Sequence, residues 1–128
     1  MEDILFKLEI PTINLNKNIY PINSTLNNIE KNVEILKYSN IENNFIILAS
    51  HSGNNSNTYF NNIVNLNKED IIYLKTKEKT IKYKVNKKYY IEKTGYLNIS
   101  TNQMNILLLI TCSRNNINKQ LIIEAIMI

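Results

Sequence analysis

His51, Cys112 and Arg114 each occur once in the chain, and they are residue types from which a thiol-based active site is built. A cysteine thiolate attacks carbonyl carbon, but a free thiol of pKa ~8.5 is only a few per cent ionised at pH 7, so it needs a partner. Histidine titrates near neutrality, which suits it to protonate a leaving amine and later deprotonate an incoming one. His51 lies just past a wholly apolar run, Phe45 to Ala49. Cys112 closes a second such run, Ile106 to Ile110 followed by Thr111-Cys112, and Arg114 comes two residues later. Each residue also has a plainer reading. A single cysteine ending an apolar run is also what a small buried hydrophobe looks like. A histidine between Ser50 and Ser52, and an arginine in the polar stretch Ser113 to Lys119, are also what solvated loop residues look like.

The elements around these residues decide whether they can meet. Wholly apolar runs of this length fit strands buried on both faces, and such strands tend to be neighbours in the middle of a sheet. The ends of two such strands can come together although 61 positions separate His51 from Cys112. Elsewhere the pattern is that of half-buried strands. Phe6, Leu8 and Ile10 alternate with Lys7 and Glu9 until Pro11, and Ile13 to Ile22 is a second extended segment. Ile71 to Leu74, Ile81 to Val85, Tyr89 to Ile91 and Leu121 to Ile128 read as further strands, with a break at Lys87-Lys88. Ser24 as N-cap, with Leu26, Ile29, Val33 and Leu36 at near-helical spacing, predicts one short helix. Tyr59, Phe60, Ile63, Val64 and Leu66 fit another helical turn or two. Seven or eight short strands with one or two short helices predict an all-β barrel or sandwich. No repeat or linker interrupts residues 1–128, which read as a single domain.

Composition narrows the function. The 128 residues suffice for one buried core. The single cysteine excludes an internal disulfide and a structural zinc site, and no metal or cofactor site is read. The net charge is +4, and all but one of the 15 basic residues are lysines spread along the chain. A nucleic-acid binder more often carries a patch containing arginine, so no nucleic-acid partner is expected. The rival reading is a small basic barrel that stacks bases on its eight tyrosines. No apolar run approaches the ~20 residues of a membrane span, and no leader is visible at Met1. The Asn pairs, such as Asn27-Asn28 and Asn61-Asn62, are short and flanked by apolar segments, and do the turn-forming work of Gly and Asp.

Four local sequences, in order, resemble the sortases, cysteine transpeptidases of Gram-positive cell surfaces. Leu109-Ile110-Thr111-Cys112 resembles their strand-end signature Thr-Leu-x-Thr-Cys. Ile46 to Gly53 resembles their apolar strand followed by Gly-His. Tyr59-Phe60, Leu66 and Asp70-Ile71 resemble the stretch between, and Leu8-Glu9-Ile10-Pro11-x-Ile13 resembles the start of the barrel. Three positions depart from the pattern. Leu108 stands at the first Thr of the signature, and Ser50 at the Gly before the histidine. Gln120 stands at the Arg of the final strand.

The resemblance implies a sortase-like β-barrel in which Cys112 is the nucleophile and His51 the acid and base. Gln120 would be the oxyanion and substrate donor at the usual Arg position, with Arg114 as the alternative donor. Ile47, Ile110, Thr111 and Ile122 would line the substrate groove, and Tyr90 to Met104 would hold a specificity loop. The implied reaction cleaves a Leu-Pro-x-Thr-Gly-like motif near the C-terminus of a secreted protein through a thioacyl-enzyme. The acyl group then passes to an amine of a peptidoglycan precursor or a pilin. The implied place is the extracellular face of the membrane, reached through an N-terminal segment outside these residues. The alternative is a weakly active or inactive sortase-like domain that binds peptides, because a neutral Gln donates a weaker hydrogen bond than Arg.

Overall fold

The computed structural model describes residues 3–53, 57–93, 103–112 and 118–128, and for Cys112 the backbone alone. Eight strands form one nearly closed all-β barrel. They are β1 (Phe6–Ile10), β2 (Leu15–Ile19), β3 (Glu34–Ile35), β4 (Phe45–Ala49), β5 (Ile71–Lys75), β6 (Thr80–Glu92), β7 (Ile106–Cys112) and β8 (Lys119–Met127). The spatial order is β2-β1-β5-β6-β8-β7-β4-β3. Every neighbouring pair is antiparallel except β4 with β7, which run parallel. The expected adjacency of the two wholly apolar strands is therefore present.

Alternation explains the inner core. Phe6, Leu8 and Ile10 of β1, Ile72 and Leu74 of β5, and Ile81, Tyr83 and Val85 of β6 all point inward and are buried, whereas Lys7 and Lys82 are exposed. Strand β4 is buried at all five positions. Its Ile46 and Leu48 join the inner core. Its Phe45, Ile47 and Ala49 join a second cluster on the outer side, with Leu108, Ile110 and Ile122.

Three expectations are corrected. The helix expected from Ser24 to Leu36 is absent; that segment is a string of turns ending in the short strand β3. Its polar side chains bond to backbone groups that a helix would have used. Ser24 Oγ accepts from Leu26 N at 3.0 Å and Asn28 Oδ1 from Glu30 N at 2.9 Å. Asn27 donates to Ile22 O and Ile35 O at 3.2 and 3.0 Å and accepts from Ile35 N at 2.8 Å. Such local bonds compete with helix. The apolar residues also serve different layers, since Val33 enters the inner core while Ile29 and Leu36 cover the outer cluster.

The second correction concerns Lys87-Lys88, which does not end a strand. β6 runs through thirteen residues, with a bulge between Val85 and Lys87. The extra residue reverses the faces. Val85 points inward, but Ile91 packs on the outer cluster, and Lys88 sends its ammonium to Val64 O and Leu66 O at 2.8 and 3.0 Å. The third concerns helix type. The expected helical turn after Tyr59 is a 3-10 turn at Ile63–Asn65, which buries Phe60, Ile63 and Leu66. Two more 3-10 turns, Pro11–Ile13 and Ile41–Asn43, end on left-handed Asn14 and Asn44.

Candidate active site

The parallel ladder of β4 and β7 fixes where the two runs end. Each partner pair, from Phe45 with Ile106 to Ala49 with Ile110, has the same offset of 61 residues. Ser50 prolongs the ladder by donating its backbone N–H to Ile110 O at 3.2 Å. The same offset separates His51 from Cys112 in the sequence, although the ladder itself ends at Ala49 and Ile110. On the other side of β7, antiparallel pairing sets Cys112 opposite Gln120. Adjacent strands lie about 4.8 Å apart, so positions 112 and 120 face each other across β7 and β8, while β4 ends at Ala49 and His51 lies in the loop just beyond it.

The loop after β4 is shaped by its polar residues. Ser50 is buried, and its Oγ accepts from Tyr59 N at 3.2 Å. Asn61 closes the loop, accepting from Gly53 N at 2.7 Å and donating to Gly53 O at 2.9 Å. Gly53 has φ 131°, a backbone conformation that side chains disfavour. His51 is partly exposed, and its Nε2 lies 3.1 Å from Oε1 of Glu30. Glu30 sits in the turn segment that replaces the expected helix. Asn57 Nδ2 donates to Glu30 O at 3.1 Å and Tyr59 Oη to Lys31 O at 3.0 Å. Glu30 and Asn57 carried no signal in the sequence, because a polar residue in a turn has no spacing to mark it, and Tyr59 was marked only as part of an apolar pattern.

Gln120 is half-exposed, and its amide makes no hydrogen bond among the described residues. Ile47, Ile110 and Ile122 lie together in the outer cluster, beneath Ile29, Leu36 and Ile91. Thr111 alternates with them; it is buried level with Leu121, and its Oγ1 has no hydrogen-bond partner among the described residues. Arg114 and most of the loop between Tyr90 and Met104 lie outside the described residues. Farther along the outer side of β8, Lys87, Lys88, Tyr89 and Glu124 line a shallow hollow. Burial raises the Tyr89 phenol above its ordinary pKa, and the Glu124 carboxylate raises it further. No group of three or more potential metal ligands occurs among the described residues, and no described helix is long and apolar enough to cross a membrane.

The family model described as the sortase domain matches residues 8–128. The chain belongs to the sortase family. Among solved structures, sortase A from Corynebacterium diphtheriae superposes with a TM-score of 0.80 at 24% identity, covering 100% of this chain and 62% of its own. Sortase C from Streptococcus pneumoniae gives 0.82 at 19% identity, covering 100% and 70%. Sortase C2 of the Group B Streptococcus pilus island 1 gives 0.83 at 20% identity, covering 100% and 76%. This sortase domain thus spans less than two thirds of the Corynebacterium chain. No curated protein sequence matches it. Sortases are in general cysteine transpeptidases associated with Gram-positive cell surfaces.

Proposed function

We propose that this sortase domain is a cysteine transpeptidase that cleaves a C-terminal sorting motif of the Leu-Pro-x-Thr-Gly type. Cys112 is its nucleophile and His51 its acid and base. The observation that supports the reading is the register, with Cys112 opposite Gln120 and His51 two residues past Ala49, the parallel partner of Ile110. The Cys112 thiolate attacks the scissile carbonyl, and the carbon–nitrogen bond breaks as protonated His51 gives its proton to the departing amine. A thioacyl-enzyme remains. Neutral His51 then takes a proton from an incoming amine, of a peptidoglycan precursor or a pilin, as the carbon–sulfur bond breaks and the thiolate returns.

The oxygen that gains charge in both steps needs a donor. Gln120 is the proposed one, with Arg114 as the alternative; Ile47, Ile110 and Ile122 are the proposed groove residues, whereas Thr111, expected among them, pairs with Leu121 on the inner side and is buried. Removing one oxyanion donor costs about 100- to 1,000-fold in turnover, so replacing a charged donor by a neutral one slows the reaction without ending it. The natural place of action is the outer face of the cell membrane.

Mass spectrometry of the chain incubated with sorting-motif peptides tests this. A thioacyl adduct on Cys112, absent from Cys112→Ala, is the expected result; cleavage that persists in Cys112→Ala places the nucleophile elsewhere. His51→Ala should bind peptide but turn over slowly. Gln120→Arg should raise turnover at least tenfold. The second reading, an inactive peptide-binding sortase domain, is favoured by Gln120 itself, and binding without any adduct would establish it.

A further inference from the structure

We propose that Glu30 is a positioning residue for His51, fixing its proton on Nε2 so that Nδ1 is the nitrogen that exchanges protons with substrate. The inference rests on the reading of His51 as the acid and base. Oε1 of Glu30 is 3.1 Å from Nε2 of His51. A carboxylate only accepts, so Nε2 is the donor; a neutral imidazole carries one N–H, so its lone pair is left on Nδ1. When the ring is protonated, Nε2 still donates to the same carboxylate. A base oriented by a third group is the recurring arrangement around activated nucleophiles.

The carboxylate is not held by the ion pair, since Glu30 is 70% exposed and exposed pairs are weak. It is held by its backbone. Glu30 N donates to Asn28 Oδ1 at 2.9 Å, and Glu30 O accepts from Asn57 Nδ2 at 3.1 Å. The next carbonyl, of Lys31, accepts from Tyr59 Oη at 3.0 Å, and Lys17 Nζ sits 4.0 Å above the Tyr59 ring. Asn57 and Tyr59 both belong to the loop that begins at His51, so the turn carrying the carboxylate and the loop carrying the imidazole are tied together by contacts independent of either group. Ile29 beside it packs onto the outer cluster.

His51 is the chain's sole imidazole, so nitrogen-15 NMR of the labelled full chain reads its tautomer without assignment. The neutral wild-type ring should carry its proton on Nε2. Glu30→Ala should move the ring toward a mixture of tautomers, and Glu30→Gln, whose carbonyl still accepts, should restore Nε2–H. With a sorting peptide, Glu30→Ala should lower kcat roughly two- to five-fold, the range of an exposed pair, and leave KM unchanged. A wild-type ring protonated on Nδ1, a tautomer insensitive to Glu30→Ala, or a rise in kcat on removing the carboxylate would each overturn the proposal. If no peptide is cleaved by the wild type, the enzymatic reading falls, and the tautomer measurement still decides whether Glu30 fixes the ring.

Discussion

The two sides of the β4–β7–β8 sheet are both apolar and are closed in different ways. The inner side faces a cluster that draws on all eight strands, so its lid is the rest of the barrel, held by ladder hydrogen bonds. The buried cluster on the outer side, among the described residues, is Phe45, Ile47, Ala49, Leu108, Ile110 and Ile122, with Ile106 packed against it; Ile29 and Leu36 from the turn segment and Ile91 from beyond the bulge cover it. Side-chain amides hold the turn segment of that cover, while Ile91 is held by the ladder of β6 with β8. The strands that bear the candidate chemistry are thus fixed from within and roofed lightly from without. A rigid sheet holds positions 112 and 120 opposite each other and fixes where β4 ends, while the outer surface is built from parts that shift at lower cost.

The largest expected effect compares two neighbours on one strand. Leu109 points into the inner cluster and Ile110 into the outer one, and both are buried. Leu109→Ala should cost about 3–5 kcal/mol, because the surrounding strands cannot close the cavity. Ile110→Ala should fall nearer about 2 kcal/mol, because the turn segment can settle into the space. Urea unfolding with unchanged m-values measures both. Equal costs, or the reverse order, would mean that the roof is as rigid as the barrel.

The next effect loosens the roof directly. Asn27 ties the turn segment to β3 through Ile35 N and O, and to Ile22 O. Asn27→Ala leaves those backbone groups to water or to no one, at about 1–3 kcal/mol. Amide exchange should then accelerate at residues 26–36 and stay slow in β7 and β8. A uniform acceleration through the barrel would show that the two sides unfold as one unit.

The same contrast sets what the sequence could reveal. Period-two alternation in Phe6–Ile10 and unbroken apolarity in Phe45–Ala49 marked those strands to the residue, because burial on one face or two dictates those patterns. The adjacency of β4 and β7 was legible because both runs are wholly apolar, and their register offset equals the 61-residue separation of His51 and Cys112 in the sequence. The turn segment was not legible. Leu26, Ile29, Val33 and Leu36 have helical spacing, yet Val33 and the pair Ile29 and Leu36 serve opposite sides of a sheet, and Asn side chains set their path. Nor was the bulge visible, since the odd-numbered apolar positions continue from Val85 to Tyr89 and Ile91 while the faces exchange. Glu30 depends on both the turn path and the loop after β4, which explains why no motif announced it.

The smallest effect tests whether the inner side is uniformly the better built. It contains Tyr83, fully buried, whose hydroxyl finds no hydrogen-bond partner among the described residues. A buried hydroxyl without a partner contributes nothing and costs desolvation, so Tyr83→Phe, which keeps the ring, should be neutral or stabilising by up to about 1 kcal/mol at pH 7. Burial also pushes the Tyr83 phenol from 10.0 up to about 12. The folded state therefore holds this proton more tightly than the unfolded one. Its contribution is fully present below pH 10 and is lost as pH rises through about 12, because the unfolded phenol ionises first. The stability of wild type should fall relative to Tyr83→Phe across that window, with the other tyrosines and the lysines cancelling in the difference. Parallel curves for the two proteins up to pH 12 would mean that the hydroxyl reaches water, and that the inner side is as loosely closed there as the outer roof.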